Sequence, residues 1–237
     1  MLAYVRRGAL AGLVGGAAMG IFLLLVGEPS IRDALAIEAA RSTGEPSVEM
    51  FSRETQMAGG AAAALVYGVL AGIVFGVVFA AVRHHSRLDD DFIRALGLGA
   101  VAYGTLVLVP ALKYPPNPPA VGDPYTVGER TVAYLTLLAA SVVVSFATWR
   151  MSRWLRAQGF EDHLRLPVVA LGYAAVIGTA YALWPANPDP VEVPADLIWR
   201  FRLASLGGAA ALWSVLSVLF GWACLRAAAS RPARTPL

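Results

Sequence analysis

The sequence predicts an all-α integral membrane protein with six transmembrane helices, and three observations carry that expectation. Of the 237 residues 57% are hydrophobic and only 15% charged, with a mean hydropathy of +0.61, whereas a soluble domain carries about 25% charged residues. Apolar, uncharged runs occupy 8–27, 57–82, 95–112, 131–149, 166–184 and 203–225, and about 20 such residues cross a bilayer as a helix. The segments between these runs alternate in the sign of their charge. No segment outside the runs is long enough to fold as a separate soluble domain, so residues 1–237 read as a single transmembrane domain.

The first run follows Arg6 and Arg7. That pattern also begins signal peptides, but this run is about 20 residues long and lacks a small-x-small site before Glu28, so it reads as a retained span. Gly8, Gly12, Gly16 and Gly20 recur along it every four residues. Pro29 suits the opening turn of a helix, and Ile31, Ala34 and Leu35 share a face away from Asp33 and Glu38. Residues 29–41 therefore read as a short helix lying at the membrane interface. Past Gly44, Pro46 can open a helix that runs on into the second span. There Ala64, Gly68, Gly72, Gly76 and Ala80 make another small-residue stripe. Such stripes let backbones approach closely, either between these two helices or against a partner subunit, which includes a second copy of the chain. After the third span, KYPPNPPAVGDP has too few amide donors for a helix and should run extended and stiff; PANPDPVEVP, after the fifth, is similar. Cys224 is the only cysteine, which excludes an internal disulfide and a cysteine metal cluster.

The charges give the orientation. The termini and two of the connections hold twelve arginines against five carboxylates, and the other three connections hold seven basic against eleven acidic residues. The positive-inside rule then places both termini in the cytoplasm and three acidic loops outside. The chain becomes three inside-out-inside hairpins, at about 8–82, 92–149 and 166–225. The excess of three positive charges belongs to this asymmetry and does not point to nucleic acid. A shift of 70 residues lays Tyr103 on Tyr173, Tyr114 on Trp184, Pro115 on Pro185, Asn117 on Asn187, Pro124 on Pro194 and Arg130 on Arg200. The last two hairpins thus read as parallel pseudo-repeats about an axis along the membrane normal. Recurrence of Pro and Arg at membrane boundaries is the alternative.

Catalytic motifs are missing. The sequence has no Walker A loop, no H-E-x-x-H and no G-x-S-x-G, so the chain is read as a non-enzyme. Ser141 and Ser145 should bond backbone carbonyls or a neighbouring helix. His84, His85 and His163 fall in basic or mixed connections and read as solvated. Glu38, Glu45 and Glu49 are the candidate metal residues, although carboxylates alone suit hard cations and a transition metal would want nitrogen or sulfur as well. Arg53, Arg130 and Arg200 each open a span, where the helix dipole disfavours a cation. They are expected to be structural clamps on carboxylates and carbonyls of the outer loops, with Glu54, Glu129, Asp123, Asp189 and Asp196 as candidate partners. The vestibule they shape would hold Asn117 and Asn187 and be closed below by Tyr103, Tyr114, Tyr173 and Trp184.

The strings LVPALKYPPNPPAVGDPYTVGERTVAYL, FSRETQMAGGAAAALVYGVLAG and VPADLIWRFRLASLGG resemble the CbtA-type predicted cobalt transporter subunit family over nearly the whole chain. Arg53, Pro115, Asn117, Pro118, Pro119, Arg130, Pro194 and Trp213 match its motifs. The resemblance implies a permease subunit of a bacterial inner membrane that takes up a divalent transition metal, most of all cobalt, linked to cobalamin synthesis. The metal would be the transported ion and no cofactor would be bound permanently. The resemblance further implies a small one-span membrane partner that bears histidines. A non-transporting scaffold or assembly subunit of a larger complex is the alternative function.

Overall fold

The computed structural model describes residues 1–41, 51–85, 90–119, 121–187, 189 and 191–229. Among the described residues there is no strand, and six helices are long and apolar enough to cross a membrane. Eight α-helical segments build them: α1 (Leu2–Phe22), α2 (Glu28–Arg41), α3 (Arg53–Val82), α4 (Asp91–Tyr103), α5 (Val109–Lys113), α6 (Val127–Ala157), α7 (Asp162–Leu183) and α8 (Ala195–Ala229). Each span extends past its apolar run into charged residues, because the backbone ladder continues wherever side chains can reach water.

The interfacial helix expected at 29–41 is not a separate element. α1 continues through a π-helical turn, Leu23–Gly27, into α2, so that Leu2–Arg41 is one helix of 40 residues. Proline explains the turn. Pro29 has no amide proton and its ring crowds the carbonyl four residues earlier, that of Leu25, which is the centre of the π turn. The same solution recurs at Gly104–Leu108, which joins α4 to α5. Its centre, Leu106, lies four residues before Pro110. A proline that looks like a boundary in the sequence is thus absorbed within a continuous helix. The opening at Pro46 lies outside the described residues. α3 starts at Arg53, with the Ser52 side chain accepting the Thr55 amide as its N-cap.

The chain packs as two compact units, Met1–Tyr103 with Pro118–Ala120 and Val193–Leu237, and Gly104–Asn117 with Val121–Glu192. In the first, α1 and α3 run antiparallel with their stripes turned to each other. A Cβ on Gly8 would fall on the Gly72 carbonyl, one on Gly12 on the Gly68 carbonyl, and one on Gly16 on the Ala64 carbonyl. Both stripes are therefore used in packing within the chain, the first of their two expected uses. α8 lies along α1 and α4: Gly15 abuts the Leu212 carbonyl, Gly99 faces Ser217 and Gly221 faces Phe92. Phe75, Phe79, Trp213 and Phe220 fill the space between α3 and α8, with ring centroids 4.9 to 6.5 Å apart. Tyr4 joins this cluster at the end where Arg7 and Arg83 lie over its ring.

The second unit is held by polar contacts. Thr105, in the π turn, shares a 2.8 Å hydrogen bond with Ser145 of α6, and the Ser145 hydroxyl reaches Tyr173 of α7 at 3.4 Å. Ser141, fully buried, donates to the carbonyls of Thr105 and Leu138. A neighbouring helix and its own backbone, the two expected acceptors, are therefore both used. Lys113 donates to the Tyr181 carbonyl at 2.8 Å, capping the last turn of α7, where free carbonyls and the dipole favour a cation. At the opposite end of α6, the buried Arg165 of α7 donates to Ser152 and pairs with Asp162 at 2.8 Å.

Candidate functional site

The three helix-opening arginines all sit in ion pairs. At the start of α3, Arg53 forks onto Glu28, with Nε to Oε1 at 3.0 Å and Nη2 to Oε2 at 2.5 Å. Arg32, one turn beyond Glu28, adds a third bond at 3.1 Å. Glu28 is only 5% exposed, and a bidentate guanidinium is the partner that such a carboxylate needs. Sequence reasoning missed Glu28 as the partner of Arg53 and favoured the adjacent Glu54, which is exposed. The signal available was the Glu-Pro pair, which puts a carboxylate directly at the π turn.

At the start of α8, Arg200 bonds Asp33 of α2 at 3.1 Å and Asp196 of its own first turn at 3.2 Å. All three side chains are at least half exposed, so this pair holds more weakly than the one at Glu28. Asp196 was among the expected partners; Asp33 was not.

The second unit carries the densest arrangement. Asp189, its side chain 3% exposed, accepts from Arg130 Nη1 at 2.9 Å, from the Thr126 hydroxyl at 2.9 Å and from the Asp123 amide at 3.2 Å. Arg130 Nη2 reaches the Asp123 carbonyl at 3.0 Å. One guanidinium and one carboxylate thereby tie the segment before α6 to the segment after α7. Gly122 makes room for this pair. Its φ of +105° is a left-handed conformation, and a Cβ there would press on Arg130 and on Asp189 Oδ2. Glu129, an expected partner, is exposed and lines the neighbouring cavity instead.

That cavity, about 660 Å³, is lined by Tyr114, Thr126, Glu129, Arg130, Thr136 and Asn187, among others. A second one of about 350 Å³ shares Tyr114, Arg130 and Asn187 and adds Asn117. Tyr114 donates to the Pro185 carbonyl at 2.6 Å and Trp184 to the Thr136 hydroxyl at 3.2 Å. Burial raises the Tyr114 phenol above its ordinary pKa. The Asn187 side-chain oxygen accepts the Asp189 amide at 3.2 Å. Tyr173 meets Ser145 deeper in this unit. Tyr103, in the other unit, donates to the Leu206 carbonyl of α8 at 3.2 Å.

The metal candidates are less well placed. Glu38 lies on α2, while Glu45 and Glu49 lie outside the described residues. Among the described residues no three His, Cys, Asp or Glu side chains come together as a metal site. His84 and His85 form a 3₁₀ turn after α3, and His163 pairs with Glu161 at 3.2 Å.

Six membrane-length helices with arginines tied to carboxylates where α3, α6 and α8 begin define a multi-pass membrane protein. The family described as probable cobalt transporter subunit (CbtA) matches residues 1–224. The chain belongs to that family of probable cobalt transporter subunits. No curated protein and no solved structure matches the chain.

Proposed function

We propose that this chain is a membrane permease subunit for uptake of a divalent transition metal, cobalt before others, serving cobalamin synthesis. The metal is cargo and the chain is not an enzyme. It works in a bacterial inner membrane with both termini cytoplasmic, as one transmembrane domain of three hairpins whose last two are parallel pseudo-repeats. Family membership is the observation that carries this reading. The arginine pairs refine it. Glu28, Asp33, Asp189 and Asp196 are engaged by Arg53, Arg200 and Arg130, and guanidinium groups repel cations. These carboxylates therefore hold loops as clamps, and Asn117 and Asn187 lend amide groups beside the second unit's cavities. Glu38, Glu45 and Glu49 are the carboxylates we assign to the arriving ion, with nitrogen ligands supplied by a small one-span partner bearing histidines.

The test is accumulation of radiolabelled cobalt by cells expressing the chain, and by proteoliposomes containing it. Uptake above empty vesicles is expected, competed by unlabelled cobalt. The Glu38→Gln/Glu49→Gln variant should raise the half-saturating concentration about tenfold with unchanged folding. Unchanged saturation would remove these glutamates from the ion's route. The second reading, a non-transporting scaffold, is favoured by the glycine-to-carbonyl packing of α1 on α3, which makes a rigid body; absence of uptake in both systems would support it. Orientation is checked by single cysteines in intact cells. Position 192 should react with an impermeant reagent and position 158 should not, and labelling at 158 from outside would overturn the six-span orientation.

A further inference from the structure

The turn between α6 and α7 carries a surplus of positive charge over the carboxylates beside it. Arg150, Arg153 and Arg156 follow one another at three-residue intervals along the last turns of α6, and Arg165 returns on α7. Two carboxylates are at hand. Glu161 pairs with His163. Asp162 is shared between Arg165 at 2.8 Å and Arg156 at 3.7 Å. Arg153 has no carboxylate partner among the described residues and lies over the Trp149 ring at 5.0 Å, and Arg150 is exposed.

The setting also matters. Trp154 is 56% and Phe160 45% exposed beside these arginines, and exposed aromatic rings next to basic side chains mark the depth of the lipid headgroups. Trp149 beneath Arg153 fixes the guanidinium by a cation–π contact while leaving its edge donors available.

We propose that Arg150 and Arg153, backed by Arg156 and flanked by Trp149 and Trp154, form a binding site for the phosphate of an anionic phospholipid headgroup. A phosphate oxygen matches the planar donor edge of arginine, the acyl chains would lie along the apolar lower part of α6, and basic groups at helix ends attract anionic lipid in this manner. The proposal is independent of which ion the chain transports.

The test uses the full chain in nanodiscs of phosphatidylcholine alone or with phosphatidylglycerol or cardiolipin, with retained lipid read by native mass spectrometry. Selective retention of the anionic lipid is expected, weakened about fivefold for each arginine removed, hence about 25-fold in Arg150→Gln/Arg153→Gln. Arg150→Lys/Arg153→Lys should retain most of the binding. Arg226→Gln, where the guanidinium stacks on Trp222 at the end of α8, should leave it unchanged. Equal retention by the double Gln variant, an equal loss in Arg226→Gln, or displacement of the lipid by inorganic phosphate at low concentration would each overturn the proposal.

Discussion

Replacing Gly72 by alanine should cost about 3 kcal/mol of resistance to unfolding in SDS, out of all proportion to one methyl group. The added Cβ would fall on the Gly8 carbonyl and within 3.0 Å of the Gly12 Cα. Neither is a side chain that can turn away, so α1 and α3 must separate along their length. Overpacking a core typically costs about 1–3 kcal/mol, and separation adds the dispersion lost by every neighbouring contact. Gly59→Ala, on the same helix, is the internal control. Its Cβ meets nothing within 4 Å, and alanine's helix propensity should make it neutral or more stable by up to about 1 kcal/mol. Equal destabilisation by the two would mean that the contact between α1 and α3 does not hold the unit together.

Arg130→Ala should cost a similar amount, about 3 kcal/mol, through a different mechanism. It strands Asp189, whose side chain is 3% exposed, with two hydrogen bonds and no countercharge, and breaking one side of a buried pair is the costly case. Arg130→Lys keeps the charge but cannot reach Asp189 and the Asp123 carbonyl together. It should leave the helices intact while the proline-rich segment before α6 becomes more sensitive to protease and cobalt uptake falls. Asp189→Ala alone should resemble Arg130→Ala, and the double variant should cost less than the sum of the two by about 2 kcal/mol. Additivity would show that the pair is incidental. Normal uptake and normal protease resistance in Arg130→Lys would show that the fork is not needed.

The sequence made some of this legible and hid the rest for identifiable reasons. The spans were readable because lipid imposes composition over about 20 residues at a time. The stripes at Gly8–Gly20 and Ala64–Ala80 were readable as packing faces, but nothing in their spacing says which face they meet. The helix dipole argument singled out Arg53, Arg130 and Arg200 and anticipated that acidic groups would compensate them. Choosing the partners was harder. Asp196, four residues before Arg200, was within helical reach, whereas Glu28 lies 25 residues from Arg53 and Asp33 lies 167 residues from Arg200. Those pairings depend on tertiary packing. Pro29 misled because a missing amide usually ends a helix, and only the backbone reveals that the turn before it has widened. Gly122 passed unnoticed, since one glycine in a proline-rich loop carries no periodicity.

The two widened turns also change how the chain counts. A π turn spends one residue more than an α turn over the same stretch of axis, so every position beyond it is set back by about 100° around the helix relative to an uninterrupted α-helix of that sequence. Beyond Leu23–Gly27, the first residue so set back is Glu28. The angular setting that brings its carboxylate onto Arg53 is therefore fixed jointly by Pro29 and by the length of the chain before it. A single residue gained or lost between Leu23 and Gly27 would leave the hydropathy of the span almost unaltered, yet would turn α2, with Glu28, Asp33 and Glu38, to face another direction. Hydropathy cannot detect such a change in phase, and it makes the ends of this helix adjustable in rotation independently of its depth in the membrane.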